Sequence, residues 1–180
     1  MKNIIFTILF LTSSTIFAAG SFVAGYTVDN YKGVKLDKIV IRYDDLSFSL
    51  EQHVEKLIIE KLDNYAKTTS YIDTIPPYSD LNDKEILKKL LEANNTYYIN
   101  IHKVRDNTHT SVNKNEFFSV NKVYSIVDVV YKIEIFDLTN KNSLVWVGDV
   151  YIFGSSSLID SLKHLRNRLI EQLREDDLLK

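Results

Sequence analysis

The chain has 180 residues, 45% of them hydrophobic and 26% charged, which are the proportions of one ordinary globular domain. Lys and Arg number 22 against 24 Asp and Glu, a net charge of −2, which supplies no field for holding a phosphate backbone and argues against a nucleic-acid partner. The absence of Cys excludes a disulfide scaffold, a thiolate zinc site, a thiol nucleophile and a lipid-bearing cysteine.

Lys2 precedes a short apolar run, Ile4 to Leu11, and then the small residues Ala18, Ala19, Gly20 and Ser21. A charge, an apolar core and a small-residue cleavage region read as a secretory signal peptide over residues 1–18. The run is too short for an ordinary membrane span, and no other segment is long and apolar enough, so no transmembrane span is expected after cleavage. An uncleaved N-terminal anchor or a buried helix is the alternative. Ser21 stands where the acylated Cys of a lipobox would be, so no lipid anchor is expected and envelope association would come from partners. A Lys/Asn/Ile-rich body points to the periplasm of a Gram-negative bacterium, or to a peripheral place at its outer membrane. Residues 19–33, with Gly20, Gly25 and Gly33, read as a flexible leader, and residues 34–180 as a single domain.

Residues 34–43 alternate, with Ile39, Ile41 and Tyr43 on one face, and predict a half-buried strand. Ser49 and Gln52 have capping-box spacing ahead of Leu50, Val54, Leu57, Ile58, Leu62 and Tyr65, which predicts a helix over about residues 50–66. Residues 68–75 are β-branched and closed by Pro76 and Pro77, the mark of a short edge strand. A second capping box, Asn82 with Glu85, starts a helix whose apolar stripe includes Ile86, Leu87, Leu90 and Leu91. Tyr97, Ile99 and Ile101 begin another strand. Val123, Val127, Val129, Tyr131, Ile133 and Ile135 share one parity in the strongest strand pattern of the chain. Polar turn chemistry at residues 137–143 joins it to a strand over residues 144–153, an antiparallel hairpin. Ser155 to Ser157 then cap a helix carrying Leu158, Leu162, Leu165, Leu169 and Leu173 in register. The order predicts an α/β two-layer sandwich, a mixed sheet of four to five strands covered by three amphipathic helices.

This layout, together with residues 131–148 (YKIEIFDLTNKNSLVWVG), resembles a group of small envelope proteins. The group includes the lipoprotein activators of penicillin-binding proteins (LpoB), the curlin secretion component CsgG and the N-terminal domain of TolB. The segment is similar to the group's strand, Asp-centred turn and aliphatic-Trp-x-Gly return strand, and residues 90–99 to its helix running into a central strand. Physically, Asp137 and Asn140 can close the turn on backbone N–H groups and Trp146 can anchor sheet to helix. The chain departs from the group in having no lipidated Cys, a short leader and no pair of long lipid-facing hairpins. The resemblance implies a periplasmic domain and leaves an outer-membrane anchor or a secretion pore without support.

No catalytic constellation is legible. His53, His102, His109 and His164 fall on four different elements without metal-ligand spacing, and no metal or cofactor is expected. The alternative is a weak surface site between His102 and His109 with Asp106. No Gly-x-Ser-x-Gly elbow surrounds Ser155 to Ser157, and the adjacent pairs Asp44-Asp45 and Asp176-Asp177 sit at element boundaries, where turns explain them. Residues 105–122 read as a long loop or, alternatively, as two continuing strands turning at Asn113 to Asn115, with Phe117 joining the core parity of Val123 and Val127. Arg105, His109, Lys114, Phe117, Phe118 and Lys122 there combine basic and aromatic side chains and form a candidate partner-binding patch. The expected function is non-enzymatic protein–protein interaction with another envelope protein. An envelope hydrolase whose site assembles only in space, and a small-ligand or metal carrier, stay open as alternatives.

Overall fold

The computed structural model describes residues 20–44, 48–114 and 121–180; within these, the side chains of residues 48–50, 108–114 and 121–125 lie outside the description. The strands are β1 (Gly20–Thr27), β2 (Lys38–Asp44), β3 (Lys67–Ser70), β4 (Tyr97–Lys114), β5 (Asn121–Asp137) and β6 (Ser143–Ser155). The helices are α1 (Phe48–Leu62), α2 (Tyr71–Thr74), α3 (Asp83–Glu92) and α4 (Leu158–Glu175). One sheet of order β1-β6-β5-β4-β2-β3 contains all six strands. β2 runs parallel to β3 and β4, and the other pairs are antiparallel.

The α/β class and the mixed sheet are as expected, with six strands rather than four to five. The additional strand comes from the residues read as a leader: β1 pairs with β6 over eight successive positions, Gly20 with Phe153 through Thr27 with Trp146. A 3₁₀ turn at Asp29–Tyr31 follows, and Tyr31 is buried. Its hydroxyl donates to Asp137 Oδ2 at 3.3 Å and accepts from Asn140 Nδ2 at 2.9 Å. The leader is thus tied to the β5–β6 turn more than a hundred residues away.

Two apolar clusters hold the layers. On the inner face, Ile39, Ile41 and Tyr43 of β2, Ile99 and Ile101 of β4 and Tyr131, Ile133 and Ile135 of β5 meet Val54, Ile58 and Leu62 of α1 and Leu162, Leu165, Leu169 and Leu173 of α4. The 3.6-residue and 2-residue periods bring these side chains to one side. Val40, of opposite parity in β2, points to the outer face, where it joins Ile75, Leu90 and Leu138, with Ile86 and Leu87 of α3 packed alongside. Helices α2 and α3 therefore add a partial third layer over one end of the sheet.

Local readings hold unevenly. Asn82 accepts from Lys84 N and Glu85 N while Glu85 accepts from Asn82 N, a complete capping box; Asn94 at φ 64° ends the segment. Ser157 caps α4 by accepting from Asp160 N. Ser49 instead lies inside α1, which begins at Phe48. The edge strand expected over 68–75 stops at Ser70, and Tyr71–Thr74 turn as α2, because Pro76 and Pro77 follow a chain that must fold back over the outer face. Asp176, read as a solvated turn residue, accepts from Trp146 Nε1 at 2.6 Å.

At the β5–β6 turn, Asp137 Oδ1 accepts from Thr139 N, Thr139 Oγ1 and Asn140 N, with Lys141 and Asn142 at positive φ completing the bend. Asn140 contributes through its side chain to Tyr31 rather than to the turn's own backbone. Replacing Asp137 with Ala leaves several donors without their acceptor and is expected to cost about 2 kcal/mol, read as a lower urea midpoint. Asp137→Asn, which keeps one acceptor oxygen, is expected to lose less.

Candidate functional site

Residues paired directly across a sheet share a face, so the register lays out the outer surface in rungs. Arg105, Val130, Tyr151 and Phe22 form the first, across β4, β5, β6 and β1. His102, Lys132, Asp149 and Ala24 form the second, and Asn100, Glu134, Val147 and Tyr26 the third. Helices α2 and α3 cover this face only at the β2 end, through Val40, Tyr98 and Leu138.

The two halves of the open surface differ in chemistry. Toward β2 and β4 it is ionic: His102 Nδ1 lies 3.2 Å from Asp44 Oδ2, its Nε2 3.9 Å from Glu134, and Lys132 Nζ 2.7 Å from Glu134. Toward β1 it is aromatic. Phe22 is 51%, Tyr26 60% and Phe153 46% exposed, and Phe22 stacks on Tyr151 with ring centroids 4.4 Å apart at 6°. Between the halves a groove of about 250 Å³ is lined by Arg105, Asn107 and Asp128 on one side and Phe22, Tyr151 and Phe153 on the other. Turned with its oxygen toward Arg105, the Asn107 amide accepts from Nε at 3.0 Å and Nη2 at 3.2 Å. Asp128 Oδ1 accepts from Gly154 N at 2.9 Å, fixing the β6 end of the groove.

Arg105 alone among the six sequence-predicted patch residues has a described side chain, and it is exposed. His109 and Lys114 fall on β4 and Lys122 on β5, with side chains outside the description; Phe117 and Phe118 lie outside the described residues. The loop reading of residues 105–122 gives way to its alternative. β4 and β5 pair continuously out to Lys114 with Asn121, apart from a bulge between Lys103 and Arg105. That bulge shifts the alternation by one residue and leaves Val104 62% exposed, which is why the sequence pattern lapses there. The aromatics that flank Arg105 come instead from β1 and β6. Sequence reasoning missed Phe22, Tyr26, Tyr151 and Phe153, although Phe22, Ala24 and Tyr26 alternate with Ser21, Val23 and Gly25 as a strand should.

A second feature is a cleft of about 340 Å³ lined by Arg42, Glu51, Glu55, Tyr71, Pro77 and Tyr78 among others. Glu55 is fully buried; it accepts from Tyr43 N at 3.2 Å and from the Ser70 hydroxyl, and the Ile72 backbone also bonds to it. Burial pushes its carboxyl up to about 7, against the downward pull of these donors. Arg42 lies over the Tyr71 ring at 5.0 Å and 3.6 Å from Asp44. Perturbed carboxyls in clefts are candidates for acid–base work, yet among the described residues no histidine lines this one. Glu55 has its oxygens committed to the ends of β2 and β3, so it acts as a clamp between α1 and the sheet. Among the described residues no cluster of three or more His, Asp or Glu is arranged to hold a metal, and no helix is long and apolar enough to cross a membrane.

No sequence model of a known family matches the chain, and no curated protein matches it. Solved structures do. PelC from Paraburkholderia phytofirmans, a dodecamer, is similar at 14% identity over 89% of this chain and 100% of that one, with a TM-score of 0.56. A single-residue variant of it aligns at 13% identity over 84% and 96%, with a TM-score of 0.53. The lipoprotein GNA1162 from Neisseria meningitidis aligns at 12% identity over 77% and 99%, with a TM-score of 0.45. The chain thus shares the PelC fold across most of its length.

Proposed function

We propose that this protein is exported to the cell envelope and works there without catalysis, by docking another envelope protein on the outer sheet face beside the β4–β5 hairpin. The observation that carries this reading is the open rung of Arg105, Val130, Tyr151 and Phe22, a basic group beside an exposed Phe22 stacked on a half-buried Tyr151, the composition that contact surfaces favour. The signal-like residues 1–18 support export to the periplasm or to the periphery of the outer membrane. The resemblance to the LpoB, CsgG and TolB group and the fold shared with PelC, a dodecamer, support a role in binding. Phe117 and Phe118, named as candidates from the sequence, are counted among the contact residues in this reading.

Crosslinking in intact envelopes followed by pull-down is expected to recover one specific envelope protein. Combining Arg105→Ala with Phe22→Ala is expected to reduce that recovery at least about tenfold, as loss of interface anchors does, with the unfolding midpoint nearly unchanged. Phe117→Ala with Phe118→Ala is expected to act in the same direction. Recovery of no specific protein at native expression, or a full yield from the Arg105 and Phe22 variant, overturns the reading. N-terminal sequencing of the exported form is expected to begin at Ala19.

A further inference from the structure

The two edges of the sheet are built differently. β3 has only four residues, led by Lys67, and short or charged edges resist pairing with other chains. β1 has eight residues, GSFVAGYT, with no charge, no proline and no shift in its register with β6. Among the described residues nothing pairs with its outer side. An undefended edge of that length offers a row of free backbone donors and acceptors to an incoming strand.

We infer that β1 pairs antiparallel with β1 of a second copy of this chain, about a two-fold axis at Ala24, extending the sheet across the dimer. The sequence of the strand is self-complementary in that register. Ala24 faces Ala24 of the other copy, Phe22 faces Tyr26 and Tyr26 faces Phe22 on the outer surface, so each of two rungs gains an aromatic pair of the kind that stabilises antiparallel strands. On the inner surface Val23 meets Gly25, pairing large with small, and Ser21 meets Thr27. Gly25 has no room for a side chain of its own: a Cβ there would lie 2.3 Å from the Trp146 ring. β1 itself carries no charge to desolvate, and one operation satisfies the same surface on both copies, as an isologous contact requires. The exposure of Phe22 and Tyr26, 51% and 60% in the single chain, is the apolar surface the pairing covers. The two aromatic strips then adjoin across the dyad. The pairing goes beyond the docking reading above and does not depend on it.

The test uses the purified exported form, beginning at Ala19. Sedimentation velocity is expected to show a concentration-dependent dimer. Ala24→Lys and Ala24→Glu, each placing like charges directly opposite, are expected to weaken it about tenfold, and an equimolar mixture of the two variants is expected to restore it. Because the chain has no Cys, Ala24→Cys introduces a single thiol that lies opposite its twin. It is expected to form a disulfide-linked dimer at least about tenfold faster than Tyr78→Cys, a control position that is 94% exposed. Circular dichroism of the variants is expected to match the parent, since Ala24 is exposed. A parent chain that stays monomeric at high concentration, a larger assembly unaffected by Ala24→Lys, or equal crosslinking at the two positions overturns the pairing. A monomer that still captures its envelope protein defeats only the pairing. A dimer that captures nothing defeats only the docking reading.

Discussion

Replacing Trp146 with Ala is expected to lower the unfolding free energy by about 4 kcal/mol, the range for removing a buried indole from a packed core. Trp146 is completely buried between the sheet and α4, and its ring occupies space that two glycines vacate. A Cβ on Gly25 would approach it to 2.3 Å and one on Gly148 to 2.5 Å. The indole N–H also donates to Asp176 Oδ2 at 2.6 Å, closing the C-terminal end of α4 onto β6. Truncation therefore opens a cavity under the β1–β6 pair and removes that bond at once. Denaturant unfolding of Trp146→Ala and Trp146→Phe separates the two, because Phe keeps most of the filled volume and forfeits the hydrogen bond, for an expected loss of about 1–2 kcal/mol. An Ala variant within about 1 kcal/mol of the parent would show that the sheet edge does not rest on this ring.

Stability is expected to fall by about 3 kcal/mol between pH 4.5 and pH 8 through Glu55 alone. Its carboxyl rises from an ordinary value of 4.5 to about 7, first because burial disfavours the charged form and further because Glu51 adds like charge. Each tenfold change in proton affinity corresponds to about 1.4 kcal/mol. The folded state holds the proton more tightly than the unfolded chain, so the favourable contribution is complete below about pH 4.5. It declines as pH rises and is lost above about 7. Glu55→Gln, which carries no charge at any pH in this range, is expected to flatten that part of the stability profile measured by urea denaturation. A Glu55→Gln profile parallel to that of the parent would place the pH dependence elsewhere.

Legibility in the sequence followed the range of the forces involved. The α3 capping box, the leucine stripe of α4 and the Asp137 turn depend on residues three or four apart, and each formed as its spacing predicted. The alternating parity of Tyr97, Ile99 and Ile101 and of Tyr131, Ile133 and Ile135 likewise placed the inner core correctly. β1 failed the same test because Gly20 and Gly25 weaken strand propensity, and glycines in a strand look like coil until the ring they make room for is known. The outer rungs failed for a related reason: a one-residue bulge after Lys103 turns Arg105 toward Tyr151 and Phe22, and no local pattern announces which residue is inserted.

The sequence by itself determined that this is an α/β domain with a mixed sheet, where its main helices and long strands lie, and which side chains form the inner core. Periodicity and capping are local, and the hydrophobic effect acts on them before any distant partner is chosen. Only the tertiary structure decided that residues 20–27 form an edge strand of the sheet, that Glu55 is sealed at the end of β2, and that Arg105 stands beside aromatics from both ends of the chain. Those outcomes depend on strand order and register, where the cost of closing long loops is repaid by contacts between residues as many as 147 apart, as in the Arg168 bond to Ser21.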